Sequence, residues 1–160
     1  MPTITEALAW LPPRHAAALN WFVQHSGTDQ AWPQGVNFRG EPTLVATRAK
    51  GIYKPRWSTY SLSVRQTLGG PYHDEEPIHR LDGTWSYKYL QEGLDPAARD
   101  DAYTNVGLMA CMRRGVPVGV MRQVSGKPNV RYHVLGIALV VRWDAGFFVL
   151  EGFAPGGSTH

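Results

Sequence analysis

Residues 116–153 read VPVGVMRQVSGKPNVRYHVLGIALVVRWDAGFFVLEGF, and this stretch decides the fold class. It contains three apolar segments rich in β-branched and aromatic residues, a composition typical of strands: Val116–Val124, Tyr132–Trp143 and Phe147–Phe153. The polar segment Ser125–Arg131 separates the first two, and the turn Asp144–Ala145–Gly146 separates the last two. We therefore predict two successive hairpins.

The sequence before this stretch predicts a helix and several short strands. Tyr103–Arg114 favours a helix that ends before Gly115. Strand patterns cover Thr43–Ala46, Gly51–Tyr53, Thr59–Thr67 and Trp85–Tyr89. In Thr59–Thr67, apolar Tyr60, Leu62 and Val64 alternate with Ser61, Ser63 and Arg65, which predicts a strand with one buried and one exposed face.

The N-terminal residues 1–25 favour helical structure, interrupted at Pro12 and Pro13. A second helix is expected to begin at Pro13 and to bury Ala18, Leu19, Trp21 and Phe22 on one face. The length of 160 residues fits one domain, which we assign to residues 1–153, with 154–160 as a linker or tail. We expect an α+β fold in which helices flank a strongly curved, partly closed sheet.

The charges are segregated along the chain, although the net charge is only +3. Residues 39–65 contain six basic residues and one acid, and residues 102–143 contain six basic residues and no acid. Eight acids lie between these segments, in residues 74–101. This distribution favours a polyanionic partner, while chance clustering on a solvated surface is the alternative.

Several classes of protein are disfavoured by composition. The longest apolar run, Gly136–Val141, is much shorter than the roughly 20 residues of a membrane span. The N-terminus lacks the pattern of a secretory signal, so we expect a cytoplasmic protein. Cys111 is the single cysteine, which rules out an internal disulfide and a cysteine-based zinc site.

The sequence offers no catalytic constellation. The segment His73–Asp74–Glu75–Glu76 contains potential metal ligands, but an acidic loop is more often a solvated surface. No HExxH motif, P-loop or nucleophile elbow is present. The position of Cys111 in the predicted helix favours a core residue, and we expect His15 on the helix surface. We predict a binding domain without catalytic residues, metal or cofactor.

Three segments suggest binding of nucleic acid. Lys54–Pro55–Arg56–Trp57 places cations beside rings, although Trp57 could instead fill the core. Tyr103–Gly107 begins a helix, whose free N–H groups suit phosphate, although Gly107 could simply permit close packing. The segment Gln123–Arg131 is basic and polar, as expected of a hairpin tip that reads base edges in the major groove; an exposed turn is the alternative.

The order of five motifs resembles a known family. These are GIYKPRW (51–57), LSVRQTLGGPYHDE (62–75), DGTWSYKY (82–89), YTNVGLMACMRRGVPVGVMRQV (103–124) and YHVLGIALVVRWDAGFFVLEGF (132–153). Together they resemble the sulfur-binding domain of modification-dependent (type IV) HNH restriction endonucleases. They are more distantly similar to the SRA domains that read methylated cytosine and to PUA-like barrels.

The resemblance implies a domain that binds double-stranded DNA carrying a phosphorothioate, in which sulfur replaces a non-bridging oxygen. The implied sulfur pocket consists of Pro55, Arg56, Trp57, Tyr103 and Gly107. The implied DNA contacts are Lys54, Thr104, Asn105, Gln123, Ser125, Gly126, Lys127, Asn129 and Arg131. The resemblance also implies an HNH nuclease in cis in the full-length protein; no HNH motif is present in these residues, so cleavage is not assigned to them.

Two alternatives remain open at the level of sequence. An SRA-like reader would flip a methylated cytosine against Tyr72, His73 and Asp74. A PUA-like module would bind RNA instead of DNA.

Overall fold

A computed structural model of the chain describes residues 2–68, 76–91 and 103–155. The elements, in chain order, are α1 (Ile4–Ala9), α2 (Pro13–Gln24), β1 (Asp29–Gln30), β2 (Val36–Phe38), β3 (Glu41–Thr43), β4 (Ile52–Tyr53), β5 (Ser63–Gln66), β6 (Ile78–His79), β7 (Trp85–Leu90), α3 (Tyr103–Arg114), β8 (Val118–Ser125), β9 (Arg131–Asp144) and β10 (Phe147–Gly152). None of the helices in these ranges is long and apolar enough to cross a membrane.

One mixed sheet organises the described residues. Its strand order is β4-β5-β8-β9-β10-β7-β6, and β1 pairs with β9 outside this path. Strands β5 and β8 are parallel, and the other neighbouring strands of the sheet are antiparallel. Strands β2 and β3 form a separate two-stranded ribbon. The predicted α+β class is confirmed, and partial closure of the sheet into a barrel remains a prediction.

The two predicted hairpins form the middle of this sheet. Strand β9 pairs with β8 on one side and with β10 on the other. The register shifts between Val120 and Met121 and again between Val149 and Leu150. Gly136 of β9 has a φ of 126°, a conformation that side chains with a Cβ rarely adopt. Such irregularities bend strands, so the long β9 is able to follow a curved sheet.

Helix α2 covers one face of the sheet with the predicted apolar stripe. Ala18, Leu19 and Phe22 are fully buried, and Trp21 is buried as well. The ring of Phe22 lies against Gly119 of β8, where a Cβ would overlap the ring atoms. Pro13 begins the helix as predicted, because a proline at the first position loses no helical hydrogen bond.

The prediction that one face of the β5 region is exposed to solvent is wrong. Ser61, Ser63 and Arg65 are 0%, 1% and 8% exposed. The hydroxyl of Ser63 donates to the carbonyl of Val45 at 2.6 Å, and the guanidinium of Arg65 donates to the carbonyl of Thr47 at 3.1 Å. Polar side chains are buried here because irregular backbone and α3 supply acceptors on the second face of the strand.

We predict that Gly119→Ala will lower the free energy of unfolding by roughly 1–3 kcal/mol, because the added methyl group overpacks the core against Phe22. Gly126→Ala is the matched control, since a Cβ at that position meets no atom within 4 Å. The control should change stability by less than about 0.5 kcal/mol. Urea denaturation measures both variants, and equal stabilities would contradict the packing.

Candidate nucleic-acid interface

A cleft of about 410 Å³ opens beside β4 and the first turn of α3. Its lining contains three aromatic rings, three cationic side chains and two small residues: Tyr53, Trp57, Tyr103, Lys50, Lys54, Arg56, Thr47 and Ala49. Among these described lining residues there is no carboxylate. Concave sites with aromatic walls and a few charged groups are typical of ligand-binding pockets.

Helix α3 reaches the cleft because it docks closely on Ser61. The Ser61 hydroxyl donates to the Thr104 carbonyl at 2.9 Å, and the Ser61 amide donates to the Gly107 carbonyl at 3.3 Å. A Cβ at Gly107 would lie 3.0 Å from the Ser61 nitrogen and closer still to its hydroxyl oxygen. Only glycine therefore permits this separation, and the docking fixes the position of Tyr103.

Tyr103 presents a ring to solvent between two ammonium groups. The side chain is 55% exposed. The Lys50 Nζ lies 5.0 Å from the ring centroid and the Lys54 Nζ lies 5.6 Å from it. Both distances fall within the range of cation–π attraction. Lys54 also donates to the carbonyl of Ser58 at 2.5 Å, which holds this lysine against its own loop.

Trp57 also lines the cleft and is contacted by two residues of helix α2. The guanidinium of Arg14 lies 4.7 Å from the indole ring, and the ring of His15 lies 6.0 Å away in an edge-on arrangement. Trp57 remains 36% exposed, so it does not fill the core. The Trp57 indole is therefore partly exposed in the cleft, while its contacts with Arg14 and His15 fix its orientation.

His15 is buried beside Trp57, contrary to its predicted place on the helix surface. Its imidazole is 1% exposed and lies near the Ser58 hydroxyl, with 3.4 Å between Nδ1 and Oγ. Burial lowers the pKa of His15 from its ordinary value of 6.5 to about 4. The residue is therefore neutral at physiological pH.

Four predicted contact residues are not accessible. Pro55 and Gly107 are buried, and neither lines the cleft. Thr104 and Asn105 are both 0% exposed, because the first turn of α3 packs onto Ser61 with these side chains directed inward. Their burial does not favour direct contact with sulfur or DNA, which stays a prediction for these four residues. Arg56, Trp57, Tyr103 and Lys54 do line one cleft.

The β8–β9 loop is exposed and internally braced. The Ser125 hydroxyl donates to the Asn129 carbonyl at 2.6 Å, while Gly126, Lys127, Pro128 and Asn129 are exposed. Arg131 donates to the Asp29 carbonyl at 2.9 Å. Both polar atoms of the Gln123 side chain have partners: Oε1 accepts from the Leu68 backbone N–H at 3.1 Å, and Nε2 donates to the Ser125 carbonyl at 3.1 Å. Direct base contact by Gln123 is therefore not favoured by the structure.

Only one side of the cleft points toward the end of the sheet that carries this loop. Because β5 and β8 are parallel, the loop after Ser125 leaves the sheet at the end where β5 finishes. Strand β4 is antiparallel to β5, so the segment before Ile52, which contains Lys50, lies toward that end as well. The cleft residues after Tyr53 run in the opposite direction, because Tyr53 pairs with Ser63 at the start of β5.

The alternative base pocket cannot be placed. Tyr72, His73 and Asp74 lie outside the described residues. Sequence reasoning also missed four residues that line the cleft, namely Thr47, Ala49, Lys50 and Tyr53. Tyr53 lies within the GIYKPRW motif and Lys50 directly precedes it, and the density of cations and rings there is the signal that could have indicated them.

Cys111 has no nucleophilic role. The thiol is 0% exposed and donates to the Ser61 carbonyl at 3.3 Å. Burial raises the pKa of Cys111 to about 12, so the thiolate is not formed at neutral pH. The predicted core position of Cys111 is confirmed.

Comparison with solved structures returns SRA domains. A crystal structure of the SUVH5 SRA domain with fully methylated CG DNA matches at 18% identity, covers 69% of this chain and 77% of its own, and has a TM-score of 0.39. A second crystal structure of the same complex matches at 19% identity, covers 69% of this chain and 78% of its own, and has a TM-score of 0.37. KRYPTONITE in complex with mCHH DNA, H3(1-15) peptide and SAH matches at 20% identity over 64% of this chain and 26% of its own, with a TM-score of 0.36. TM-scores this low carry no argument about function. No family model matches the chain, and no curated protein matches it significantly.

We predict that acidification destabilises the fold through His15. The unfolded chain protonates this side chain near pH 6.5 and the folded chain only near pH 4, so the contribution of His15 to stability is lost as the pH falls through this window. At pH 4 the loss amounts to about 3 kcal/mol. Urea denaturation of the wild type and of His15→Gln at pH 7 and pH 4 measures it. The stability advantage of the wild type should shrink by up to that amount, and parallel pH profiles would contradict the assignment.

Proposed function

We propose that this chain is a non-catalytic reader of chemically modified double-stranded DNA. The observation that carries the proposal is the exposed Tyr103 ring with the Lys50 and Lys54 ammonium groups beside it, in a cleft without a described carboxylate. Cations provide salt-dependent attraction to phosphates, and exposed rings contact soft or planar groups. The chain would then act as the targeting module of a larger restriction endonuclease whose nuclease lies in cis.

Phosphorothioate is the first candidate for the modification. Sulfur is larger, more polarisable and a weaker hydrogen-bond acceptor than oxygen, so it gains dispersion contacts against the Tyr103 ring, the Trp57 indole and the Arg56 methylenes. An ordinary phosphate oxygen in the same place would lose water without an equivalent donor. That loss costs about 1–3 kcal/mol, or roughly a tenfold to hundredfold preference for sulfur.

Affinity and discrimination belong to different residues in this proposal. Lys50, together with Lys127 on the β8–β9 loop, attracts any DNA backbone, whether or not it is modified. Asn129 on the same loop is exposed and has an amide side chain, so it would read a base edge. The rings of the cleft add the preference for the modification.

A methylated cytosine flipped out of the duplex is the second candidate. The observation that favours it is the cavity volume of about 410 Å³, which exceeds the space that one sulfur atom fills. Trp57 and Tyr103 would then stack on the base, as aromatic side chains do in proteins that extrude bases. Tyr72, His73 and Asp74 remain predicted contacts of that base.

We predict that the full chain binds a phosphorothioate duplex more tightly than methylated or plain duplexes of the same sequence. Fluorescence anisotropy at two salt concentrations measures all three dissociation constants. Tighter binding of the methylated duplex would contradict the preference for phosphorothioate and favour the second candidate, methylated cytosine. Preference for an RNA of the same sequence would contradict the reading of DNA and favour a PUA-like module.

Two variants separate affinity from discrimination. Tyr103→Ala should reduce the preference for the modified duplex by roughly tenfold, because the ring supplies the contacts that oxygen cannot replace. Lys50→Ala should weaken modified and plain duplexes alike and lower the salt slope by about one. Lys88→Ala, an exposed lysine on β7, is the matched control and should change neither. Equal loss of both duplexes in the Tyr103 variant would contradict the role of the cleft.

A further inference from the structure

The segment between β3 and β4 forms one side of the cleft without regular secondary structure. Residues 44–51 contain no helix or strand, yet Thr47, Ala49 and Lys50 line the cleft. Val45 and Ala46 anchor the start of the segment in the core, whereas Arg48, Ala49 and Lys50 are exposed. This exposed part lacks a ladder of backbone hydrogen bonds and needs contacts from elsewhere to keep one conformation. Those contacts come from β5, the strand that pairs with β4.

Arg65 of β5 forms hydrogen bonds with several backbone carbonyl groups of this segment. Its Nη2 donates to the carbonyl oxygens of Thr47, Arg48 and Lys50 at 3.1, 3.5 and 3.3 Å. Its backbone amide donates to the Gly51 carbonyl at 2.7 Å. One residue therefore contacts four carbonyls in five consecutive positions, and three of them accept from a charged donor, which strengthens the hydrogen bonds.

The indole ring of Trp32 contacts both Arg65 and Arg48, a residue of the segment. The guanidinium of Arg48 lies 4.3 Å from the indole ring and that of Arg65 lies 5.4 Å from it. Trp32 also meets the ring of Tyr132 on β9, with 5.4 Å between centroids. The segment is thus connected through two arginines and one indole to the central strand of the sheet.

A tyrosine from β7, a strand that is not adjacent to β5 in the sheet order, also contacts Arg65. The Tyr89 hydroxyl of β7 donates to the Arg65 carbonyl at 3.1 Å and occupies the space that a Cβ at Gly51 would need. Among the described residues, no carboxylate forms an ion pair with Arg65. Carbonyl dipoles and an indole ring balance the buried charge instead, so the guanidinium is directed at the segment and not at an acid.

We propose that Arg65 is a positioning residue that fixes the Thr47–Lys50 side of the cleft and thereby places Lys50 beside Tyr103. Arg65 is 8% exposed and acts through the segment that it holds. Its importance for DNA binding rests on the proposed function, whereas its effect on the segment does not.

Limited trypsin digestion of the full chain tests the positioning without DNA. Arg65→Met keeps the length of the side chain and removes the donors, so the bonds after Arg48 and Lys50 should be cut roughly tenfold faster or more, as expected when charged hydrogen bonds are lost. Arg65→Lys retains a single charged donor group and should be intermediate. Mass spectrometry identifies the fragments, and thermal denaturation monitors the global fold.

The control is Arg114→Met, at the exposed end of α3, which should leave cleavage after Arg48 and Lys50 unchanged. Unchanged cleavage at these two bonds in Arg65→Met would overturn the proposal. Equal acceleration at every tryptic site in both Arg65 variants would also overturn it, because that pattern indicates general destabilisation.

A double-mutant cycle with a plain duplex then tests the consequence for binding. Lys50→Ala should add less than about twofold to the loss caused by Arg65→Met, because a displaced Lys50 no longer contributes, whereas Lys127→Ala should add its full effect. Full additivity of the Lys50 and Arg65 changes would overturn the placement of Lys50 by Arg65. If neither lysine variant alters DNA binding, the proposed function fails while the digestion still decides the role of Arg65.

Discussion

The candidate site depends on the close docking of α3 against Ser61. Two hydrogen bonds from Ser61, one from its hydroxyl and one from its amide, and a third from the Cys111 thiol to the Ser61 carbonyl hold the helix at the distance that Gly107 permits. This contact buries the inner side of the first helical turn and leaves Tyr103 and Val106 exposed. The parallel pairing of β5 with β8 in turn fixes Ser61 relative to the central hairpin. The position of one aromatic ring is thus determined by the core and not by a flexible loop, which suits a site that distinguishes single atoms.

Two residues of the cleft lining, Trp57 and Lys50, are supported by different parts of the chain. Helix α2 fixes Trp57 through Arg14 and the neutral His15, whereas β5 fixes Lys50 through Arg65. The supporting side chains, Arg14, His15 and Arg65, are basic or uncharged. Because none of them is an acid that could neutralise the cations at the rim, these cations remain available to a polyanion. The β8–β9 loop with Lys127 and Asn129 is braced separately, by the hydrogen bond from the Ser125 hydroxyl to the Asn129 carbonyl. Under the proposed function, attraction to the DNA backbone and discrimination of a modified group would therefore respond to separate substitutions.

The sequence predicted the fold better than the site. Helix α3, the start of α2 at Pro13 and the three last strands follow from apolar patterning and from turn residues, and the structure places them within two residues of the predicted bounds. The error on β5 arose because an alternating pattern does not reveal that a second layer supplies acceptors to Ser61, Ser63 and Arg65. Charge density near GIYKPRW indicated the cleft, and Lys54, Arg56, Trp57 and Tyr103 do line it. Pro55, Gly107, Thr104 and Asn105 were assigned to the ligand although they are buried, because a motif specifies neighbours in sequence and not which of them face solvent.

Amide hydrogen exchange with and without a saturating modified duplex tests most directly whether the cleft is the DNA-contacting surface. Protection is expected in residues 47–57 and in the first turn of α3, which contain the cleft lining, and in residues 126–130 of the basic β8–β9 loop. The β6–β7 hairpin, residues 78–85, should exchange equally in both states. Protection of that hairpin with no change in residues 47–57 would contradict the proposal.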